Sequence, residues 1–94
     1  MTLKEQLTSE VSGIILQHVR SIKGRLTEIS DLCGINRKEF NKKGFSKMRM
    51  HRLLHIVYAL SVFMTYREFH DMCEEIHDEI RAFSDEYDYV FFDK

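Results

Sequence analysis

Seven cationic side chains fall within sixteen residues of this sequence, and side chains of this type contact polyanions. They are Arg37, Lys38, Lys42, Lys43, Lys47, Arg49 and Arg52. Asn41 lies among them; an Asn amide pairs with adenine, whereas Arg and Lys donate hydrogen bonds to guanine or to phosphate. We predict base contacts from Arg37, Lys38, Asn41 and Lys42, and phosphate contacts from Thr27, Lys43, Lys47, Arg49 and Arg52. The alternative is a solvated basic face without a ligand.

The histidines and cysteines offer weaker chemistry. His70, Cys73 and His77 have helical spacing that suits zinc, but one helix rarely supplies four ligands, and Cys73 also fits an apolar stripe. His51 and His55 lie four residues apart without the Glu of a metalloprotease helix. The sequence has neither a Gly-rich phosphate loop nor a nucleophile elbow. We therefore predict no metal, no cofactor and no enzymatic activity.

Length and composition predict one small folded domain over residues 1–94. The 94 residues are 44% hydrophobic and 31% charged, as in a globular protein. The sequence has no apolar run of membrane-spanning length and no secretion signal at its start, so we expect a cytoplasmic protein without membrane contact. In that compartment Cys33 and Cys73 are expected to be buried thiols rather than a disulfide.

The net charge of −1 conceals two halves of opposite sign. Residues 1–60 contain 11 Lys and Arg against 5 Asp and Glu, whereas residues 61–94 contain 3 against 10. Neutralising phosphates releases counterions, so the basic half suits a polyanion. The acidic half should face away from such a ligand.

The absence of Pro, the scarcity of Gly and the spacing of apolar residues predict an all-α fold of about five helices. Capping pairs begin three of them, at Thr2, Asn36 and Thr65. The predicted helices run over Leu3–Ile22, Thr27–Cys33, Asn36–Lys43, Lys47 or Met48 to Leu60, and Thr65–Phe83, followed by an aromatic tail at 84–94.

The third predicted helix carries the candidate site. Gly34 makes the turn that precedes it, because a left-handed residue costs little only for Gly. With Phe40 pointing inward, 100° per residue places Lys38, Asn41 and Lys42 on the outer face. Two short helices that meet at a glycine turn, with a basic outer face, are typical of a DNA-binding helix-turn-helix.

The residues Ile29-Ser30, Gly34, Ile35-Asn36 and Phe40 resemble the lambda-repressor-like family of bacterial helix-turn-helix regulators, the xenobiotic-response-element type. The sequence MHRLLHIVYALSV at 50–62 is similar to that family's fourth helix. The resemblance covers about residues 14–63. It implies a sequence-specific transcriptional regulator that inserts the helix 36–43 into the major groove of double-stranded DNA.

The fifth predicted helix, about 66–83, combines an apolar stripe with an acidic surface. We predict a homodimer through Phe69, Met72, Ile76, Ile80, Phe83, Tyr87 and Tyr89, which would set two reading helices about 34 Å apart. The alternative is that this helix completes a monomeric core. A second functional alternative is a protein-interaction module, such as an antitoxin, antirepressor or adaptor, whose protein partner binds the acidic helix.

Overall fold

The computed structural model describes residues 2–22 and 24–87, and only the backbone of Tyr87. Over these residues the fold is all-α, as predicted, with five α-helices, one 3₁₀ helix and no strand. The α-helices are α1 Leu3–Ser21, α2 Leu26–Cys33, α3 Lys42–Ser46, α4 Met50–Phe63 and α5 Tyr66–Tyr87, and the 3₁₀ helix is Arg37–Glu39. None of the described helices combines the length and apolar character that crossing a bilayer requires.

Helix α1 is the central element of the fold. Its predicted capping box is confirmed: the Thr2 hydroxyl accepts from the Glu5 N–H at 3.1 Å, and the Glu5 carboxylate accepts from the Thr2 N–H. One face of α1 packs against α3, α4 and α5. That face buries Leu7, Val11, Ile15, Leu16 and Val19. The apolar spacing of the sequence therefore identified this helix correctly.

Helix α2 ends at the glycine turn that the sequence predicts. Gly34 has φ +71°, and the N–H of Ile35 reaches back to the Ser30 carbonyl at 3.3 Å, which is the Schellman arrangement. The helix begins at Leu26, one residue before the predicted start at Thr27. Leu32 is 43% exposed, although it lies one helical turn from the buried Ile29.

Helix α4 begins later than predicted and buries a different face. Its core residues are Leu53, Ile56, Ala59 and Leu60. Met50 and Leu54 are apolar but exposed, Leu54 by 59%. His51, Arg52 and His55 are exposed as well.

Helix α5 begins with the predicted capping box, in which the Thr65 N–H donates to Glu68 at 2.9 Å and the Glu68 N–H donates to the Thr65 hydroxyl at 3.1 Å. The hydrogen bond that the Glu68 carboxylate accepts from the Thr65 backbone, and to a smaller extent its interaction with the Thr65 side chain, hold the pKa of Glu68 below its ordinary value. The helix extends to Tyr87, so the first residues of the predicted tail are helical. The remaining tail residues lie outside the part of the chain that the structure describes.

The predicted dimer surface of α5 is used within its own chain. Met72 and Phe83 are 0% and 3% exposed, so they have no surface to offer a second copy. Phe69, Ile76 and Ile80 are half-buried against the same core. This arrangement matches the alternative in which α5 completes the monomer. The side chain of Tyr87 and all of Tyr89 lie outside the described residues.

The two cysteines are free thiols in different surroundings. Cys33 is half-buried, and burial raises the pKa of its thiol. Cys73 was predicted to be buried but is exposed. It lies at the edge of the apolar stripe of α5, whose other members pack against the core.

Candidate nucleic-acid interface

The predicted continuous helix over Asn36–Lys43 is wrong. The chain makes a 3₁₀ turn over Arg37–Glu39, and α3 begins only at Lys42. Between them Phe40 has φ −81° and ψ 63°, the inverse γ-turn conformation, in which the next N–H donates to the Glu39 carbonyl at 2.9 Å. The predicted basic outer face of one helix is therefore divided between two short elements.

Two asparagine side chains cause the break. The side-chain oxygen of Asn36 accepts from the Lys38 N–H at 2.9 Å and caps the 3₁₀ helix. The side-chain oxygen of Asn41 accepts from the Gly44 N–H at 2.8 Å and caps α3, while the side-chain NH₂ of Asn41 donates to the Lys38 backbone carbonyl at 2.6 Å. Asn side chains compete in this way with helix continuation. Asn41, a predicted base contact, uses both ends of its amide to hold the backbone.

A glycine and two aromatic rings fix the angle between these elements. A Cβ on Gly44 would collide with the carbonyl oxygen of Glu39 and lie 3.0 Å from its Cα, so only Gly allows this approach. Phe45 is 1% exposed and Phe40 8%, with ring centroids 5.5 Å apart. Both rings point inward, as expected for Phe40. They pack beneath the backbone segment that carries the cationic residues.

The seven cations named above form what we call the basic surface, Arg37, Lys38, Lys42, Lys43, Lys47, Arg49 and Arg52, and all seven are exposed. Arg52 lies 4.0 Å from the Glu39 carboxylate, a weak exposed pair. Arg37 donates to the Thr27 hydroxyl at 3.2 Å, which joins one predicted base contact to one predicted phosphate contact. Within the described ranges, the six cations other than Arg52 have no carboxylate within 4 Å.

A groove of about 810 Å³ continues the basic surface toward α1. It separates the start of α1 from the junction of α3 and α4, and Lys4, Lys47, Arg49 and His51 line it. The one acidic residue of its lining, Glu5, is held in the α1 capping box. Sequence reasoning missed Lys4, because it lies far from the cationic cluster along the chain and only the packing of α1 against α3 brings it near.

The acidic helix does not cover the basic surface. Helix α5 packs against α1 and α4. Glu75 of α5 lies 2.9 Å from His18 of α1. Among the described residues, no ion pair joins α5 to the basic surface. Lys38 and Lys42 thus remain accessible to a ligand.

His70 of α5 contacts residues of its own helix. His70 lies 3.8 Å from both Asp71 and Glu74, and the Tyr66 ring stacks on it. In the described part of the chain no three His, Cys, Asp or Glu side chains are grouped closely enough to hold a metal ion.

Comparison of the chain with family models, with curated proteins and with solved structures found no match. The lambda-repressor-like resemblance therefore stays a prediction.

Proposed function

We propose that this protein binds double-stranded DNA through the basic surface and acts as a transcriptional regulator by occupying its site. The observation that carries the proposal is a set of six exposed cations that have no carboxylate partner among the described residues, on a surface that α5 leaves uncovered. Between Glu39 and Glu68 the sequence has no acidic residue. Such a concentration of positive charge favours phosphate through counterion release.

The broken helix changes how the protein would read DNA. An α3 of five residues offers little more than one turn to a groove, so phosphate contacts supply most of the affinity. Lys38 and Lys42 remain candidate base contacts at the starts of the two short elements, with Arg37 held beside them by Thr27. We assign Asn41 a positioning role, because pairing with adenine would cost α3 its cap.

The groove gives the DNA backbone a path beyond the basic surface. A phosphate strand that follows Lys47 and Arg49 would reach Lys4 on α1. Lys4→Ala should then lower duplex affinity in the same manner as Lys47→Ala. If the DNA backbone does not enter the groove, Lys4→Ala should leave duplex affinity unchanged.

The test measures duplex affinity against salt concentration. Each lost phosphate contact lowers the steepness of log K against log salt by about 0.9. We expect that decrease for Lys42→Ala and for Lys47→Ala, without a change in melting temperature because both side chains are exposed. Arg81→Ala, an exposed cation on the acidic helix, is the matched control and should change nothing. Equal slopes for all three variants would refute the proposed surface.

A second experiment distinguishes sequence-specific DNA binding, which a regulator requires, from nonspecific DNA binding. Duplexes selected from a random pool at two salt concentrations should converge on one sequence if the protein is a specific regulator.

The rival function is the protein-interaction module. It is favoured by the exposed carboxylates Asp71, Glu74, Glu75 and Asp78 on α5. Failure to enrich any duplex, together with tight binding of a basic protein that Glu74→Gln weakens, would support the rival.

A further inference from the structure

Helix α4 carries an exposed apolar row that the fold leaves uncovered. Six large hydrophobic residues of the described chain are strongly exposed, and four of them lie on α4 at intervals of four residues. These four are Met50, Leu54, Tyr58 and Val62, and we call them the α4 row. Their exposures run from 37% at Met50 to 63% at Tyr58. An isolated surface Leu needs no explanation, but a contiguous row of this kind marks an interaction site.

The row lies on the side of α4 that faces away from the core. Leu53, Ile56 and Leu60 cover the opposite side and are at most 1% exposed. The row is therefore additional to the core and is not required to hold α4 in place. A helix that is apolar on both sides is expected where a second surface covers it.

We infer that the α4 row pairs with the same row of a second copy, in an antiparallel arrangement about a two-fold axis at Tyr58. Leu54 and Val62 lie four residues before and after Tyr58, so a two-fold axis there sets Leu54 of each copy against Val62 of the other. A two-fold dimer requires such a self-complementary surface. Residues four apart also form the ridge that packs between helices.

The polar side chains beside the row favour the antiparallel direction. His51 and His55 flank its amino-terminal half, whereas Ser61 flanks its carboxy-terminal half. Antiparallel pairing about Tyr58 sets His55 against Ser61 and keeps the two His51 side chains at opposite ends. Parallel pairing would set each histidine against its own copy, which is unfavourable whenever the imidazoles carry a proton.

The size of the α4 row determines how strongly the two copies are expected to bind each other. Helix α4 has 14 residues and is about 21 Å long, so the contact is smaller than the roughly 800 Å² per partner of a standard interface. We expect a dissociation constant on the order of micromolar, with monomer and dimer in exchange.

The first test is sedimentation equilibrium of the full chain without nucleic acid, so that its result does not depend on the DNA proposal. The wild type should shift from monomer to dimer as its concentration rises through the micromolar range. Tyr58→Glu should raise the dissociation constant at least about tenfold, because it buries a charge at the two-fold axis. Ala82→Glu adds the same charge at an exposed position of α5 and should leave the equilibrium unchanged.

The second test fixes the direction by disulfide trapping, in a background with Cys33 and Cys73 replaced by Ser. Tyr58→Cys should cross-link to itself. Leu54→Cys alone should not, because the two copies of position 54 lie about 12 Å apart along the axis. A mixture of Leu54→Cys and Val62→Cys chains should cross-link.

Self-linking by Leu54→Cys without the mixed product would overturn the antiparallel arrangement. A wild type that stays monomeric at every concentration would overturn the inference and leave the row to a different protein. Neither outcome affects the DNA proposal, which is tested separately by the salt dependence of duplex affinity.

Discussion

Substitution by Ala should change the free energy of unfolding in opposite directions at two glycines. Gly13 lies in the middle of α1 with nothing within 4 Å of an added Cβ, and Gly44 lies in α3 against the backbone of Glu39. Gly→Ala in a helix gains about 0.5–1 kcal/mol from helix propensity and reduced unfolded-state entropy. Gly13→Ala should show that gain in full.

Gly44→Ala adds the same propensity gain but meets an obstacle that cannot rotate aside. Displacing backbone to admit an extra methyl costs about 1–3 kcal/mol, so the net effect should be a loss of up to about 2.5 kcal/mol. At about 4–8 °C per kcal/mol for a domain of this size, the two melting temperatures should move apart by several degrees.

The assay is urea unfolding followed by circular dichroism, with the free energy of unfolding compared among wild type, Gly13→Ala and Gly44→Ala. Duplex affinity of Gly44→Ala gives a second measurement, because displacing α3 moves Lys42 relative to Lys38. If Gly44→Ala stabilises the protein as much as Gly13→Ala, then Glu39 does not contact Gly44, and the argument for a divided basic surface fails.

Two further predictions concern capping residues. Asn41→Ala should lower the free energy of unfolding by about 1–2 kcal/mol, and Asn41→Asp, which keeps the acceptor for Gly44, should recover part of it; unchanged unfolding of the Ala variant would contradict the capping role. Glu68 has a folded-state pKa below its ordinary value of 4.5, so its charge stabilises the fold above that pH, and the stabilisation is lost as pH falls through the folded-state pKa. The melting temperature of the wild type should therefore exceed that of Glu68→Gln at neutral pH and converge with it at acidic pH, whereas a constant difference would show that the charge is not involved.

The sequence predicts those parts of the fold that depend on residues close together in the chain. The capping boxes at Thr2 and Thr65 and the left-handed Gly34 each follow from contacts within a few residues. Helices α1 and α5 are long enough for their apolar spacing to identify the buried face. The cationic cluster is likewise local, so its exposure could be anticipated.

The errors arise where tertiary packing decides between local alternatives. Asn41 can occupy an exposed helical position or, with a stronger preference, a helix cap, and the close approach of Gly44 to Glu39 is compatible only with the cap. Apolar residues lie on all sides of α4, so spacing alone could not show that Leu54 would be exposed. Lys4 joins the candidate site only because α1 packs against α3.

The central position of α1 sets the order in which the chain can fold during synthesis. Helix α1 is synthesised before α3, α4 and α5, which it contacts, and α5 ends 66 residues after α1 does. At about 5–20 residues per second, roughly 3–13 seconds pass between the synthesis of α1 and the completion of α5. During that interval the nascent chain presents the apolar face of α1 without its full cover, and a chaperone or a protease can reach that face.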